Sequence, residues 1–173
     1  MKKIVAILAV ALIGMSAAFS AKAIEDPNPK GTKVVGLQAG FLPGIGGSVY
    51  GEYVLVDSWW KGHFSVGAHI GFRHYGTGLG YNYNEFALAP RASYGLNITE
   101  QFEAHVAVVS GLGFSGYTYN YSDGTKSHSS SVGLCYGTLV GARYFLSEGF
   151  GLSAEVGYLG YAPYTNVGIC FKF

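Results

Sequence analysis

His63-Phe64-Ser65-Val66-Gly67-Ala68-His69-Ile70-Gly71-Phe72-Arg73-His74 alternates without a break. Phe64, Val66, Ala68, Ile70 and Phe72 fall on one parity, and His63, Ser65, Gly67, His69, Gly71 and Arg73 on the other. Successive side chains of a β-strand point to opposite faces, so a period of two marks a strand. This one has an apolar wall and a wall of Gly, Ser and charge. The pattern predicts a sheet, and the question is what each wall meets.

The same alternation recurs on both sides of that stretch. It predicts eight strands: Lys33–Phe41, Ser48–Val56, His63–His74, Glu85–Leu96, Phe102–Phe114, Val132–Phe145, Phe150–Tyr158 and Asn166–Phe173. Pro90 falls inside the fourth, where a residue without an N–H signals an edge strand or a bulge. The connections alternate in length. Those at 57–62, 97–101 and 146–149 are short, and those at 42–47, 75–84, 115–131 and 159–165 are generally longer. Outer-membrane barrels show this asymmetry, with tight periplasmic turns and longer external loops.

Composition narrows the choice of solvent. Only 12% of residues are charged while 16% are aromatic, with 14 Tyr, 11 Phe and 27 Gly. Soluble domains carry roughly 25% charged residues. Beyond the N-terminal segment no apolar run is long enough for a membrane helix. What remains is a soluble all-β domain or a barrel whose lipid-facing residues interleave with polar ones. The glycines favour the second, because Gly on the charged face makes room for side chains that fill a narrow lumen. The polar face therefore points inward.

The N-terminus has the form of an export signal. Met1-Lys2-Lys3 is basic, Ile4 to Ala18 is apolar, and Ala21-Lys22-Ala23 is a small-x-small cleavage site. The division expected is a signal peptide at 1–23 and an outer-membrane barrel domain at 24–173; cleavage after Ser20 would serve equally. The apolar run is shorter than the roughly 20 residues of a spanning helix. Removing Lys2, Lys3 and Lys22 takes the formal charge from +1 to −2. Such a chain has no basic patch for nucleic acid. Cys135 and Cys170 fall on the sixth and eighth strands, about 10 Å apart across an intervening strand. A disulfide does not reach that far, so two buried free thiols are expected.

With the export signal, the eight strands and the closing Asn166-Val167-Gly168-Ile169-Cys170-Phe171-Lys172-Phe173, the chain resembles the OmpA/OmpX-like outer-membrane β-barrel family. Phe150-Gly151-Leu152-Ser153-Ala154-Glu155-Val156-Gly157-Tyr158 also looks like that family's penultimate strand. The resemblance implies an eight-stranded, antiparallel, up-and-down transmembrane barrel, monomeric, in the cell outer membrane of a Gram-negative bacterium. It implies that Ile169, Phe171 and Phe173 form the C-terminal signal read by the barrel assembly machinery. It implies outer-membrane lipid and lipopolysaccharide as surroundings. It does not imply one function, since members act as structural proteins, adhesins or receptors.

Four sets of residues bear on function. Inward charges place Glu52, Glu85, Glu103 and Glu155 against Arg73, Arg91, Arg143 and Lys172, with His69 and His105 among them. Unpaired charges in a dry lumen are costly, so the set is expected to pair, either as a salt-bridged filling or as an ion path. Tyr81, Tyr83, Tyr117, Tyr119 and Tyr121 lie in or beside two external loops. They suit recognition, an interfacial belt or strands continuing above the membrane. Trp59 and Trp60 suit an interface anchor at a periplasmic turn. Lys126-Ser127-His128-Ser129-Ser130 offers the His and Ser of a lipid-A-modifying enzyme, but no carboxylate at a spacing that would orient His128 except Asp123 in a Gly-containing turn. No metal-ligand spacing and no phosphate loop is present, so no cofactor is expected.

Overall fold

A computed structural model describes residues 28–60, 62–77, 81–120 and 125–173; the expected signal peptide lies outside them. Eight antiparallel strands form: β1 (Lys33–Phe41), β2 (Ile45–Trp59), β3 (Gly62–Gly76), β4 (Tyr81–Asn97), β5 (Phe102–Asn120), β6 (Lys126–Phe145), β7 (Phe150–Leu159) and β8 (Thr165–Lys172). Each pairs with its chain neighbours, and β8 closes onto β1. Lys33 and Phe173 complete the seam, each N–H donating to the other's carbonyl at 3.0 and 2.9 Å. Closure pairs every strand on both sides within the barrel wall, which a strand in hydrocarbon requires.

The alternation becomes an inside and an outside. In β1 every even residue from Val34 to Gly40 is buried, and every odd one from Lys33 to Phe41 is exposed. Leu37 is 56% exposed, Val108 57% and Leu134 75%, whereas Arg91 and Arg143 are each 1% exposed. Soluble monomers seldom display a continuous apolar surface of more than a few hundred Å². This wall is apolar all the way round.

Pro90 makes neither an edge nor a bulge. It pairs opposite Ala68 of β3. Toward β5 the ladder runs from Leu88↔Leu112 to Arg91↔Val109 with no pairing at Ala89 or Pro90 and the register unchanged. The missing N–H thus costs a local break in one seam. The register irregularities fall on β2 instead, between Val54 and Val56 and between Val56 and Trp59.

The two rims differ, though not through loop length. The lower rim carries the turns at 98–101 and 146–149, residues 28–32 and Phe173. At the upper rim the sequence predicts long loops at 75–84 and 115–131, but strand continues through most of both. β5 runs to Asn120 and β6 starts at Lys126. The physical reason is cross-strand pairing of alternating Tyr, Thr and Ser, which holds a ladder where no apolar contrast marks one. β6 pairs with β7 only from Gly137 onward, and Tyr136 still contacts Tyr158 and accepts from Gly160 N–H, so Lys126 to Leu134 run without a β7 partner, on the order of 25 Å of strand. β3 to β6 therefore rise above the upper rim as a curved sheet, while β1, β7 and β8 stop at 9, 10 and 8 residues.

Candidate functional site

The waist of the lumen is a charge cluster supplied by five strands. Glu52, Arg91, Glu103, Arg143 and Glu155 come from β2, β4, β5, β6 and β7, all buried. Arg91 donates through Nε to Glu52 Oε1 at 2.6 Å and forks onto both oxygens of Glu155, with Nη1–Oε2 at 3.3 Å. Arg143 donates through Nη2 to Glu52 Oε2 at 2.6 Å and through Nη1 to Glu103 Oε1 at 2.8 Å. Glu52 is thereby shared between the two guanidinium groups. His105 bonds Glu155 Oε1 through Nε2 at 2.8 Å. Charge-assisted, forked bonds of this kind are what offset the desolvation of buried ions.

Tyr50 sits among these cations. Its hydroxyl accepts a bond from Arg143 Nε at 3.1 Å, and its ring lies 4.5 Å from Arg91 Cζ and 5.1 Å from Arg143 Cζ. The ring has room because β1 offers Gly36 opposite it: a Cβ at Gly36 would overlap Tyr50 Cε1. Gly95 and Gly141 clear space in the same way for the Nε2 atoms of His63 and His105, at 2.5 and 2.6 Å from a built Cβ. Gly36, Gly95 and Gly141 are thus sockets for larger lumen side chains.

Each end of the waist is covered. Below, Asn28 is buried and donates to Glu103 Oε2 at 2.9 Å and to Asn97 Oδ1 at 3.3 Å. Above, the β7–β8 connection at 160–164 folds into the barrel mouth, where Ala162 is buried and Tyr161 packs against the apolar cluster that contains Ala87, Ala107, Val109 and Leu139. Gly113 and Gly133 accommodate the Tyr161 ring and hydroxyl, and Gly71 accommodates Ala162. Arg73 holds this connection, donating to Ala162 O at 2.8 Å and to Glu85 Oε2 at 2.5 Å. A polar chain of Gln38, Ser48, Ser153 and Asn166 links the short wall, and Asn166 donates to Pro163 O at 3.2 Å.

The expected lumen charges therefore fall into two groups, Arg73–Glu85 near the mouth and Glu52, Arg91, Glu103, Arg143 and Glu155 at the waist. Lys172 departs from the expectation. Its parity is inward, but at the end of β8 it reaches the lower rim, where Nζ lies 4.4 Å from the centroid of the Phe145 ring. His69 is buried in the lumen wall. Tyr50, His63, Asn28 and the whole 160–164 connection were not singled out by sequence. Tyr50 and His63 share the parity of Glu52 and Arg73, and that parity was the available signal. Asn28 and the connection carry no periodic signal at all.

The tyrosines do not form an interfacial belt. Tyr75 pairs across from Tyr83, Tyr83 from Tyr117, and Tyr81 from Tyr119. They follow Arg73, Glu85 and Ser115 at even spacing, so they share the lumen-side face rather than the lipid side. Tyr75 and Tyr83 stack at 4.9 Å and 9°, and Tyr81 lies 4.4 Å from Tyr119 and 6.2 Å from Tyr117. Tyr121 and Asp123 lie outside the described residues. Trp59 and Trp60 are 56% and 82% exposed near the lower rim, and Tyr94 OH donates to the Trp60 carbonyl at 2.7 Å.

The C-terminal residues Ile169, Phe171 and Phe173 lie along the outer face of β8, with Phe171 5.5 Å from Phe150 and Phe173 76% exposed. His128 pairs with Thr118 Oγ1 at 3.0 Å on the outer face of β6, whereas Ser127 and Ser129 take the opposite face. Those groups do not converge. Cys135 and Cys170 are free and buried. Among the described residues no group of three or more His, Cys, Asp or Glu is placed to hold a metal ion.

No protein-family model matches this sequence, and no curated protein matches it in sequence. Solved structures match it in fold. A designed transmembrane β-barrel superposes with a TM-score of 0.51 at 16% identity, over 83% of this chain and 97% of that one. The N-terminal barrel domain of Pseudomonas aeruginosa OprF gives 0.49 at 18% identity, over 83% and 98%. Neisserial surface protein A gives 0.49 at 15%, over 82% and 94%. At these identities the likeness is one of fold, and the fold is the eight-stranded, up-and-down architecture of transmembrane barrels.

Proposed function

We propose that this chain is an outer-membrane β-barrel of the OmpA/OmpX-like kind. It comprises a wall stabilised in lipid, a lumen filled by its own side chains, and a recognition surface carried above the membrane by β3 to β6. The observation that carries this is the inversion of burial, with Leu37, Val108 and Leu152 exposed while Arg91, Glu103 and Arg143 are buried. Water as the outer solvent would leave that wall unaccounted for; hydrocarbon accounts for it. Export by a signal peptide at 1–23, insertion by the barrel assembly machinery through Ile169, Phe171 and Phe173, and contact with lipopolysaccharide as a monomer complete the proposal. The lower rim then faces the periplasm and the extension faces outward.

A closed lumen is supported by the bonds at the waist. Arg143–Glu52 and Arg91–Glu155 join strands that are not neighbours, so they cross the bore instead of lining it. An eight-stranded barrel has an interior only wide enough for side chains. In planar bilayers the purified protein is expected to show no large, steady conductance, and a porin-like current would refute the filled lumen. Location is tested separately, by recovery in outer-membrane extracts with heat-modifiable migration.

A surface role as an adhesin or receptor is favoured by one specific feature. The extension carries strand pairing and the side chains of Tyr81, Tyr83, Tyr117 and Tyr119 beyond the ends of β1, β7 and β8. Shortening the hairpin within 115–131 is expected to abolish attachment while leaving heat-modifiable migration intact.

A further inference from the structure

The lumen-side face of the extension is chemically one-sided. Tyr75, Tyr81, Tyr83 and Tyr119 are half-buried and Tyr117 is exposed, so part of each side chain reaches solvent. On the adjoining strand Ser129 pairs across from Tyr117 and Ser127 across from Tyr119, both exposed. The floor of this face is the Arg73–Glu85 pair, neutral in sum. Lys126 and His128 have the opposite parity and take the outer face. Among the described residues, the inner face above its floor thus carries aromatic rings and hydroxyls with no formal charge.

Each class of ligand makes a demand on such a surface. A polyanion demands clustered Lys or Arg. An amphipathic helix demands an aliphatic groove. A sugar ring presents an apolar C–H face edged with hydroxyls, which matches aromatic faces flanked by groups that both donate and accept hydrogen bonds. We infer that the tyrosine-lined inner face of the β3–β6 extension is a binding site for an uncharged oligosaccharide presented from outside the cell. The inference rests on the outer-membrane orientation proposed above. It commits to an external source because sugars of neighbouring lipopolysaccharide approach the barrel laterally, against its outer face. The inner face opens above the lumen, toward the medium.

The test uses the full mature chain in detergent micelles and saturation-transfer NMR with maltohexaose, chitohexaose and lacto-N-neotetraose. Heparin and lipopolysaccharide core oligosaccharide serve as comparisons. Transfer to at least one neutral probe is expected, insensitive to salt. Tyr83→Ala and Tyr117→Ala are each expected to weaken it by about tenfold or more, the range of a binding hot spot. Tyr117→Phe keeps the ring and should fall between. Ser129→Glu alters an exposed side chain and leaves every tyrosine in place, and its new charge beside Tyr117 should also weaken the complex. No transfer to any neutral probe, preference for heparin or for the core oligosaccharide, or undiminished binding by the Ala variants would each overturn the site. Heat-modifiable migration separates the two proposals: a parent protein that shifts but binds nothing refutes the site alone, and one that does not shift refutes the barrel.

Discussion

Arg143 and Glu52 meet across the lumen, Nη2 of one 2.6 Å from Oε2 of the other, although β6 and β2 are not neighbours in the wall. Both are buried, and Glu52 also accepts from Arg91. Breaking one partner of a buried pair strands the other, at a cost of about 3–5 kcal/mol. Arg143→Met is therefore expected to lower unfolding stability by that amount in urea titrations in lipid vesicles. An unchanged midpoint would show that the waist contributes nothing to stability.

The glycine sockets make a second, sharper contrast. A Cβ at Gly36 would enter the Tyr50 ring, while one at Gly51 meets nothing within 4 Å. Gly36→Ala is expected to destabilise by about 1–3 kcal/mol through overpacking. Gly51→Ala should stay within about 0.5 kcal/mol of the parent. The same titrations check both, and equal effects would remove the socket explanation.

Tyr161 tests whether the mouth or the waist closes the bore. Its ring lies over Gly113 and Gly133 and packs on the upper apolar cluster. Tyr161→Ala should cost roughly 2–4 kcal/mol as a large-to-small change. Because the crossing bonds of Arg91 and Arg143 remain, bilayer recordings should still show no steady current. A current in this variant would place the barrier at the mouth.

Phe173 separates assembly from folded stability. Its backbone closes the barrel seam with Lys33, yet its side chain is 76% exposed. Phe173→Ala should leave unfolding of the purified, refolded protein nearly unchanged while lowering the amount that reaches the outer membrane several-fold. Quantitative blotting of membrane fractions against refolding yield would decide it, and parallel losses in both would mean that the side chain acts only through stability.

The wall was legible because apolar and polar residues alternate wherever lipid lies on one side and the lumen on the other. β1 is the clear case, with Lys33 to Phe41 read at its true ends. Above the upper rim that contrast disappears. Tyr117-Thr118-Tyr119 and Ser127-His128-Ser129 are polar on both faces, so a paired ladder reads as loop. Parity still placed the charges, but parity does not give height along the bore, which is why Lys172 was expected in the network and lies instead at the lower rim. Tyr161 and Asn28 act through chain segments that fold back into the bore, and no periodicity encodes such a return.

The most direct measurement concerns the solvent of the outer face. A spin label on Leu37→Cys, and separately on Val108→Cys, would be examined in the vesicle-reconstituted protein, the native Cys135 and Cys170 being buried. Collisions with oxygen, which concentrates in hydrocarbon, are expected to exceed collisions with a water-soluble nickel chelate at both sites. Greater access to nickel at either would mean that water bathes this wall, and that the barrel does not span a membrane.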